Sequence, residues 1–287
     1  MNTVFEVYKK ACQKLENIQK DEINVRILLC YVNKYSEMSE FYLKKDQEVR
    51  SIDLFNELFG RYLKGEPIQY ITNEAYFLGD IFYVDNRVLI PRMESEEVAT
   101  YAINKAIELF GNSEVEIADI CTGSGCLGIE LAKHLNCKRL FLTDLSLDAL
   151  EVARINCEKF MNQLPKYNLR NGDGLSPLYF EKKCSPNIII ANPPYIIDKN
   201  AVDKSVLNNE PHLALFTDDN IKIYKDIICD ASKFDNDPIL LVLEISDEIY
   251  PLLKEFINTY CPMWKVEYIK DINNKWRIAS IIVTKKK

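Results

Sequence analysis

Asn192-Pro193-Pro194-Tyr195 is the stretch of this chain whose residue types are best suited to chemistry. It follows the apolar run Ile188-Ile189-Ile190-Ala191, which reads as a buried strand. The tetrapeptide is therefore expected at the carboxyl end of that strand, where open α/β sheets bind their ligands. Each proline fixes its φ and donates no N–H, and a residue ahead of a proline is pushed out of the helical region. The carbonyls of Asn192 and Pro193 are thus held stiffly. The Asn192 side-chain oxygen and the Pro193 carbonyl form two acceptors that converge on one small –NH₂ group, with Tyr195 as an aromatic floor. Such a site suits a planar amide or an exocyclic amine. Asn192, Pro193 and Tyr195 are the candidate catalytic residues, and with Pro194 they form the candidate substrate-binding set. The plainer alternative is a rigid strand-to-loop turn with no chemistry.

A second constellation lies upstream, in Asp119-Ile120-Cys121-Thr122-Gly123-Ser124-Gly125-Cys126-Leu127-Gly128. It follows the strand-like Val115-Glu116-Ile117-Ala118 and opens a helix around Leu127 to Leu135. Gly123 and Gly125 let the backbone pass close to a ligand, and a helix N-terminus offers free N–H donors. Gly123, Gly125 and Gly128 also satisfy G-x-G-x-x-G, so the motif alone does not separate a dinucleotide from S-adenosyl-L-methionine (AdoMet). Asp144 ends the next strand, Leu140 to Thr143, nineteen residues after Gly125. Its carboxylate can accept from both ribose hydroxyls, which the two ligands share; a helix cap ahead of Leu145-Ser146 is the simpler reading. Two features select AdoMet. Asp119 complements an ammonium group and would repel a pyrophosphate, and the acceptor site downstream has no accompanying proton-transfer pair for hydride chemistry. Asp119, Cys121, Thr122, Gly123, Ser124, Gly125, Asp144 and Asn192 are accordingly candidate cofactor residues, with S-adenosyl-L-homocysteine as product.

These segments need a scaffold. With 287 residues the chain is long enough for about two domains. From Thr3 to about Glu74 the apolar residues recur at helical spacing: Val4, Tyr8, Ala11, Cys12, Leu15; then Val25, Ile27 to Leu29, Val32; then Ile52, Leu54, Phe55, Leu58, Tyr62, Leu63. Ala75 to Pro91 reads as a hairpin turning at Leu78-Gly79-Asp80. From about Met93 strands and helices alternate, with helices also at Leu150 to Phe160 and near Ile221 to Ala231, and strands at Asn187 to Ala191 and Ile239 to Leu243. Lys265 to Ile269 and Ile278 to Val283 are expected to form a terminal antiparallel pair. The fold class is α/β, with a mostly parallel, doubly wound sheet.

Composition narrows the function classes. The net charge of −7 argues against direct sequence-specific nucleic-acid binding, which needs clustered Lys and Arg. The Lys285-Lys286-Lys287 tail reads as a solvated end. Nine cysteines include no C-x-x-C pair, and the two histidines are His134 and His212, so neither a disulfide framework nor a metal is expected. Glu6 and Lys9-Lys10 interrupt the first residues, which argues against a signal peptide. No apolar run reaches the roughly 20 residues that span a bilayer. A cytoplasmic protein that does not engage membranes is expected.

Together these residues resemble the HemK-type protein-(glutamine-N(5)) methyltransferases, which act on peptide chain release factors. The resemblance covers almost the whole chain. It is carried by Gly65-Glu66-Pro67-Ile68-Gln69-Tyr70, by Leu89-Ile90-Pro91-Arg92, by the glycine-rich turn, Asp144 and Asn192-Pro193-Pro194-Tyr195, and by Glu210-Pro211 followed by Ala214-Leu215. It implies a helical domain over residues 1–74 that helps bind the release factor, a hairpin linker over 75–92, and a Rossmann-type AdoMet domain over 93–287. It also implies methylation of the glutamine in the release factor's Gly-Gly-Gln motif, and it adds Asp173 and Gly174 to the cofactor residues. Three positions depart from the family pattern. Cys121 stands where the first loop glycine is usual, although a Cys there is familiar in the ribosomal-protein glutamine methyltransferase branch. Met93-Glu94-Ser95-Glu96 replaces a usual proline and Asp-Thr-Glu. Gly174 replaces an aromatic that often packs near the adenine. A ribosomal-protein substrate, a DNA adenine-N(6) methyltransferase working on an extruded base, and a non-catalytic AdoMet-binding module are the remaining alternatives.

Overall fold

A computed structural model of the chain describes residues 2–15, 21–181, 184–219 and 221–285. Lys286 and Lys287 of the basic tail lie outside them. The chain divides into two compact units, Met1–Glu74 and Ala75–Lys287.

The first unit is helical: α1 (Val4–Leu15), α2 (Glu22–Asn33), α3 (Glu40–Leu43), α4 (Ile52–Leu63) and α5 (Ile68–Thr72). The apolar positions spaced three and four apart in the sequence are the ones that close its core. Val4, Val7, Ala11 and Leu15 of α1 pack with Val25, Leu28 and Leu29 of α2 and Phe55, Leu58 and Phe59 of α4. Ser51 caps α4, its hydroxyl accepting from the Leu54 N–H at 3.3 Å. Pro67 sits directly ahead of α5, where a missing N–H costs nothing.

A short hairpin, β1 (Glu74–Phe77) and β2 (Asp80–Tyr83), follows. Its two-residue turn has Leu78 at φ 49° and Gly79 at φ 88°, the left-handed pair that matches strand twist. Strand pairing ends at Tyr83, well short of the Pro91 expected from the alternating residues. Asp85 stops it: its carboxylate accepts from both the backbone N–H (3.0 Å) and the guanidinium of Arg87, turning the chain. Residues 84–92 therefore run as a loop.

The second unit continues with α6 (Met93–Phe110), β3 (Val115–Ile120), α7 (Cys126–His134), β4 (Cys137–Asp144), α8 (Leu147–Lys159), β5 (Lys166–Asn171) and β6 (Ile188–Ala191). After it come α9 (Lys204–Asn209), α10 (His212–Leu215), α11 (Lys222–Ala231), β7 (Ile239–Glu244), α12 (Ile249–Tyr260), β8 (Lys265–Lys270) and β9 (Trp276–Val283). The seven-stranded sheet has the order β5-β4-β3-β6-β7-β9-β8. The first five strands of that order are parallel, and β9 runs antiparallel to both β7 and β8. Period-two alternation assigns the side chains to two cores. Ile120, Phe141, Ile189 and Leu241 face Tyr224, Ile227 and Leu253 of α11 and α12. Ile117, Leu140, Ile190 and Val242 face Val98, Leu127, Leu131 and Cys157 of α6, α7 and α8.

Several elements escaped the sequence reading, among them the short α9 and α10 and three longer ones. In α6 the acids Glu94, Glu96 and Glu97 dilute the apolar stripe, yet Val98, Ala99, Ala102 and Ala106 are buried. β5 pairs on one side only, so Lys166-Tyr167-Asn168-Leu169-Arg170-Asn171 carries no apolar run. α12 begins close behind β7, and Ile249, Leu253 and Ile257 bury its inner stripe.

Candidate active site

The sheet reverses its winding between β3 and β6, and a cavity opens at the carboxyl ends of the parallel strands there, the expected place for a ligand in this topology. Its empty volume is about 1030 Å³, part of it open to solvent. A second hollow, about 1560 Å³, lies at the opposite end of the strands between Phe234, Tyr260, Trp264 and Lys285. No residue of the two sequence constellations reaches that second hollow, so the chemistry belongs to the first.

The β3–α7 turn forms one wall. Cys121 has φ 57°, Gly123 53° and Gly125 85°. Cys121 thus occupies the left-handed region that a glycine takes without strain, which is the physical content of its departure from the family pattern. Backbone bonds hold the turn: Thr122 N–H to the Thr143 carbonyl at 3.0 Å and Gly125 N–H to the Thr122 carbonyl at 2.8 Å. Asn156 of α8 braces it from behind, donating to the Ser124 carbonyl at 2.8 Å and exchanging two bonds with the Tyr83 backbone.

Asp119 sits beneath the turn and does not line the cavity. It is fully buried, and its Oδ2 accepts from Thr122 Oγ1 (2.6 Å) and the Gly128 N–H (3.0 Å). Its Oδ1 is buried without a partner among the described residues. Burial pushes its carboxyl up to about 7, the Thr122 and Gly128 bonds oppose this, and the nearby Asp144 charge adds to it. Gly128 is obligatory here, because a Cβ would lie 2.7 Å from the Asp119 Cβ.

Asp144 stands on the cavity wall at the end of β4. Its Oδ2 accepts from the Gly123 N–H and its Oδ1 from the Ser146 N–H, each at 2.9 Å. Each oxygen keeps a second lone pair for another donor. The cap of α8 is Ser146, whose hydroxyl accepts from the Ala149 N–H at 3.1 Å, so Asp144 is free of that duty. Burial raises the Asp144 carboxyl against the pull of its backbone donors. Asp173 and Gly174 line the cavity beyond β5, with Gly174 at φ 54°. Leu145 and Ile223 of α11 supply apolar wall to the same cavity.

Asn192 and Pro194 form the wall after β6, while Pro193 is buried and neither it nor Tyr195 lines the cavity. Tyr195 packs against the core on the α11 and α12 face; burial raises its hydroxyl, as does Glu244, and Arg277 opposes them. The loop is pinned by pairing of Ile196 with Leu215 and Thr217. Glu210, buried, accepts from the Ile90 N–H (3.1 Å) and from Arg92 (2.6 Å), tying the loop after β2 to the one after β6. The Asn192 carboxamide nitrogen reaches Ser95 Oγ at 3.4 Å, and Ser95 Oγ in turn lies 2.6 Å from Glu244 Oε2. Arg92, Ser95, Glu210 and Glu244 were not among the expected site residues. Arg92, Ser95 and Glu210 lie in segments that carry or break the family pattern; Glu244, at the end of an apolar strand, gave no local signal beyond being an acid there. Among the described residues no group of three His, Cys, Asp or Glu could hold a metal ion, and no helix is long and apolar enough to cross a membrane.

A carboxylate beside a glycine-rich turn, an Asn-Pro-Pro-Tyr loop that brings Asn192 and Pro194 to the same cavity, and a largely parallel sheet define a methyltransferase. The Methyltransferase small domain family matches residues 102–213, and the PrmC N-terminal domain family matches residues 6–72. A release factor glutamine methyltransferase of Mycoplasma mycoides is 32% identical, covering 96% of this chain and 97% of that one. The Staphylococcus aureus enzyme of the same description is 38% identical over 83% of this chain and 84% of its own. A ribosomal protein L11 methylase from Lactobacillus delbrueckii shares the fold, with a TM-score of 0.50 and 18% identity over 72% of this chain and 87% of its own. The chain belongs to the release factor glutamine methyltransferases, and it is a protein-glutamine methyltransferase.

Proposed function

We propose that the enzyme binds AdoMet along the β3–α7 turn and methylates the side-chain amide nitrogen of the Gly-Gly-Gln glutamine of a peptide chain release factor, presented at Asn192. The observation that carries this reading is that Asn192, Asp144 and the turn from Cys121 to Ser124 share one cavity. AdoMet fits the groups that surround it. Asp144 has acceptor capacity left for a ribose diol, and Leu145 and Ile223 offer an apolar wall for an adenine. Thr122, Gly123 and Ser124 line the wall for the methionine end, Gly125 turns the chain at φ 85° without lining it, and Asp119 beneath them would favour an ammonium group in its ionised form. Bound there, AdoMet would supply an electrophilic methyl group on a sulfonium.

The remaining work falls to the chain's own residues. An amide nitrogen is a weak nucleophile because its lone pair is delocalised into the carbonyl. Asn192 Oδ1 would accept one of its hydrogens, orient the lone pair and stabilise the positive charge that grows on nitrogen, while Pro193, buried and off the cavity wall, would keep the backbone behind Asn192 stiff. Once methylated, the nitrogen is strongly acidic, so one proton passes to water and no dedicated base is required. Pro194 and Tyr195 would keep the acceptor loop in shape. The helical unit over residues 1–74 would recognise the intact release factor; it exposes Tyr42 and Leu43, whose apolar surface is available to a partner. The net charge of −7 favours a protein over a nucleic-acid substrate.

The test is transfer of labelled methyl from AdoMet to an intact release factor, to one whose Gly-Gly-Gln glutamine is replaced by alanine, and to ribosomal proteins. Label on the intact factor that disappears with the glutamine is the expected result. Label that persists without the glutamine, or that prefers a ribosomal protein, defeats the reading. A folded enzyme lacking residues 1–74 should keep AdoMet affinity and lose more activity on the intact factor than on a short Gly-Gly-Gln peptide.

A further inference from the structure

A carboxamide has two chemically opposite ends, and only one orientation of Asn192 presents an acceptor to an incoming –NH₂ group. We propose that Ser95 and Glu244 are positioning residues that fix this orientation through a directed hydrogen-bond chain, holding Asn192 Nδ2 against the protein and turning Oδ1 toward the substrate. The proposal rests on the reading of Asn192 as the residue that grips the glutamine amide.

The chain begins at Arg277 of β9. Its Nε and Nη2 donate to Asp271 Oδ2, each at 3.1 Å, and its Nη1 faces Glu244 Oε1 at 3.6 Å. Glu244 is 2% exposed, and its other oxygen lies 2.6 Å from the hydroxyl of Ser95, itself 3% exposed. A carboxylate only accepts, so the single hydrogen of Ser95 is committed to Glu244. Toward Asn192 the hydroxyl then has only lone pairs to offer, and the carboxamide must present its nitrogen. That is the orientation in place, with Nδ2 at 3.4 Å, and it is the one hydrogen bond of this side chain among the described residues. The Arg277 guanidinium, ion-paired with the other carboxylate oxygen, favours the ionised Glu244, and that carboxylate thereby sets the polarity of a carboxamide two hydrogen bonds away.

The other groups facing Glu244 are consistent with this polarity. Arg92 precedes α6 and Glu94 lies in its first turn, Tyr195 approaches from the acceptor loop, and Tyr224 of α11 donates to the Glu244 backbone carbonyl at 3.0 Å. Burial pushes the Glu244 carboxyl up, opposed first by Ser95 and then by Arg277. A protonated Glu244 would donate to Ser95, release the Ser95 hydrogen toward Asn192, and favour the reversed carboxamide.

Glu244→Gln tests the polarity with almost no change of shape. Its amide oxygen would turn to Arg277 and its –NH₂ to Ser95, which reverses every bond as far as Asn192. We expect kcat to fall roughly a hundredfold, the scale of one misdirected charge-stabilising contact, with AdoMet affinity unchanged. Ser95→Ala removes the messenger and leaves Asn192 free to turn, for a loss of about tenfold. Ser95→Thr, which keeps the hydroxyl, should restore most of the rate. The double variant Ser95→Ala/Glu244→Gln should recover to the level of Ser95→Ala, since the reversed polarity no longer reaches Asn192. The wild-type kcat should also lose rate on the acid side as Glu244 protonates, a limb absent from Glu244→Gln. A double variant as slow as, or slower than, Glu244→Gln would show that the loss is structural and overturn the proposal. So would equal activity of Glu244→Gln and wild type. If Asn192→Ala itself retains activity, the underlying reading of Asn192 fails instead.

Discussion

The two sides of the cavity are built in different ways. On the cofactor side, the turn after β3 is shaped by glycines and backbone bonds, with Asp119 and Gly128 nine residues apart locking its base. On the acceptor side, Asn192 is positioned through Ser95, 97 residues upstream of it, and through Glu244, which lies 149 residues from Ser95 and on the other side of Asn192 in the sequence. Local construction suits a ligand whose shape never varies. The acceptor wall must control which atom of a carboxamide faces an amide, and backbone bonds at its own strand end do not reach that side chain. The comparison teaches that cofactor affinity and turnover are separable in this molecule.

The strongest way to break that separation is Asn192→Ala. Turnover should fall by about 10²–10³, the usual result of removing one preorganised charge-stabilising group, while AdoMet affinity stays within about twofold. Single-turnover methyl transfer alongside calorimetry checks it, and a joint loss of affinity would merge the two sides.

On the opposite wall, Gly128→Ala should act through the turn. The added Cβ meets the Asp119 side chain at 2.7 Å, and Asp119 is fixed in β3. Overpacking of this kind costs about 1–3 kcal/mol, read as lower stability in urea and weaker AdoMet binding. Retained affinity would show that the turn tolerates displacement.

Asp144→Ala should weaken AdoMet and its demethylated product by at least about tenfold, or 1.4 kcal/mol. At saturating cofactor its turnover should remain close to normal. Loss of turnover without loss of affinity would place Asp144 in the chemistry.

The smallest effect is expected of Asp119→Asn, and it is one of stability. The Asp119 carboxyl titrates at about 7 in the folded protein against an ordinary 3.8. Because the folded state holds the proton more tightly, the stability associated with this group is full below 3.8 and is lost as pH rises toward 7. Replacing the acid with an amide should therefore stabilise the cofactor-free enzyme above pH 7, with the gain shrinking at acid pH. AdoMet affinity should fall at the same time. Thermal melts of both proteins between pH 5 and pH 8 make the comparison; a gain that grows at low pH would contradict the buried charge.

Much of this was legible in the residues alone. The helical repeats of the first unit, the βα alternation and the terminal antiparallel pair follow from apolar periodicity, because each buried face needs only neighbours three, four or two residues away. The glycine-rich turn, Asp144 and the prolines after Asn192 announce themselves because their effects on the backbone are local. Strand order and the position of the switch point between β3 and β6 were decided only by the assembled sheet. The same holds for β5, whose single neighbour frees it from needing an apolar run, and for the chain from Arg277 to Asn192. Each link of that chain joins a different element, so no spacing in the sequence encodes it. Burial in a shared core gives a serine and a glutamate their direction, because a hydrogen bond in a dry interior has one partner to choose from, whereas in the unfolded chain water would satisfy either end.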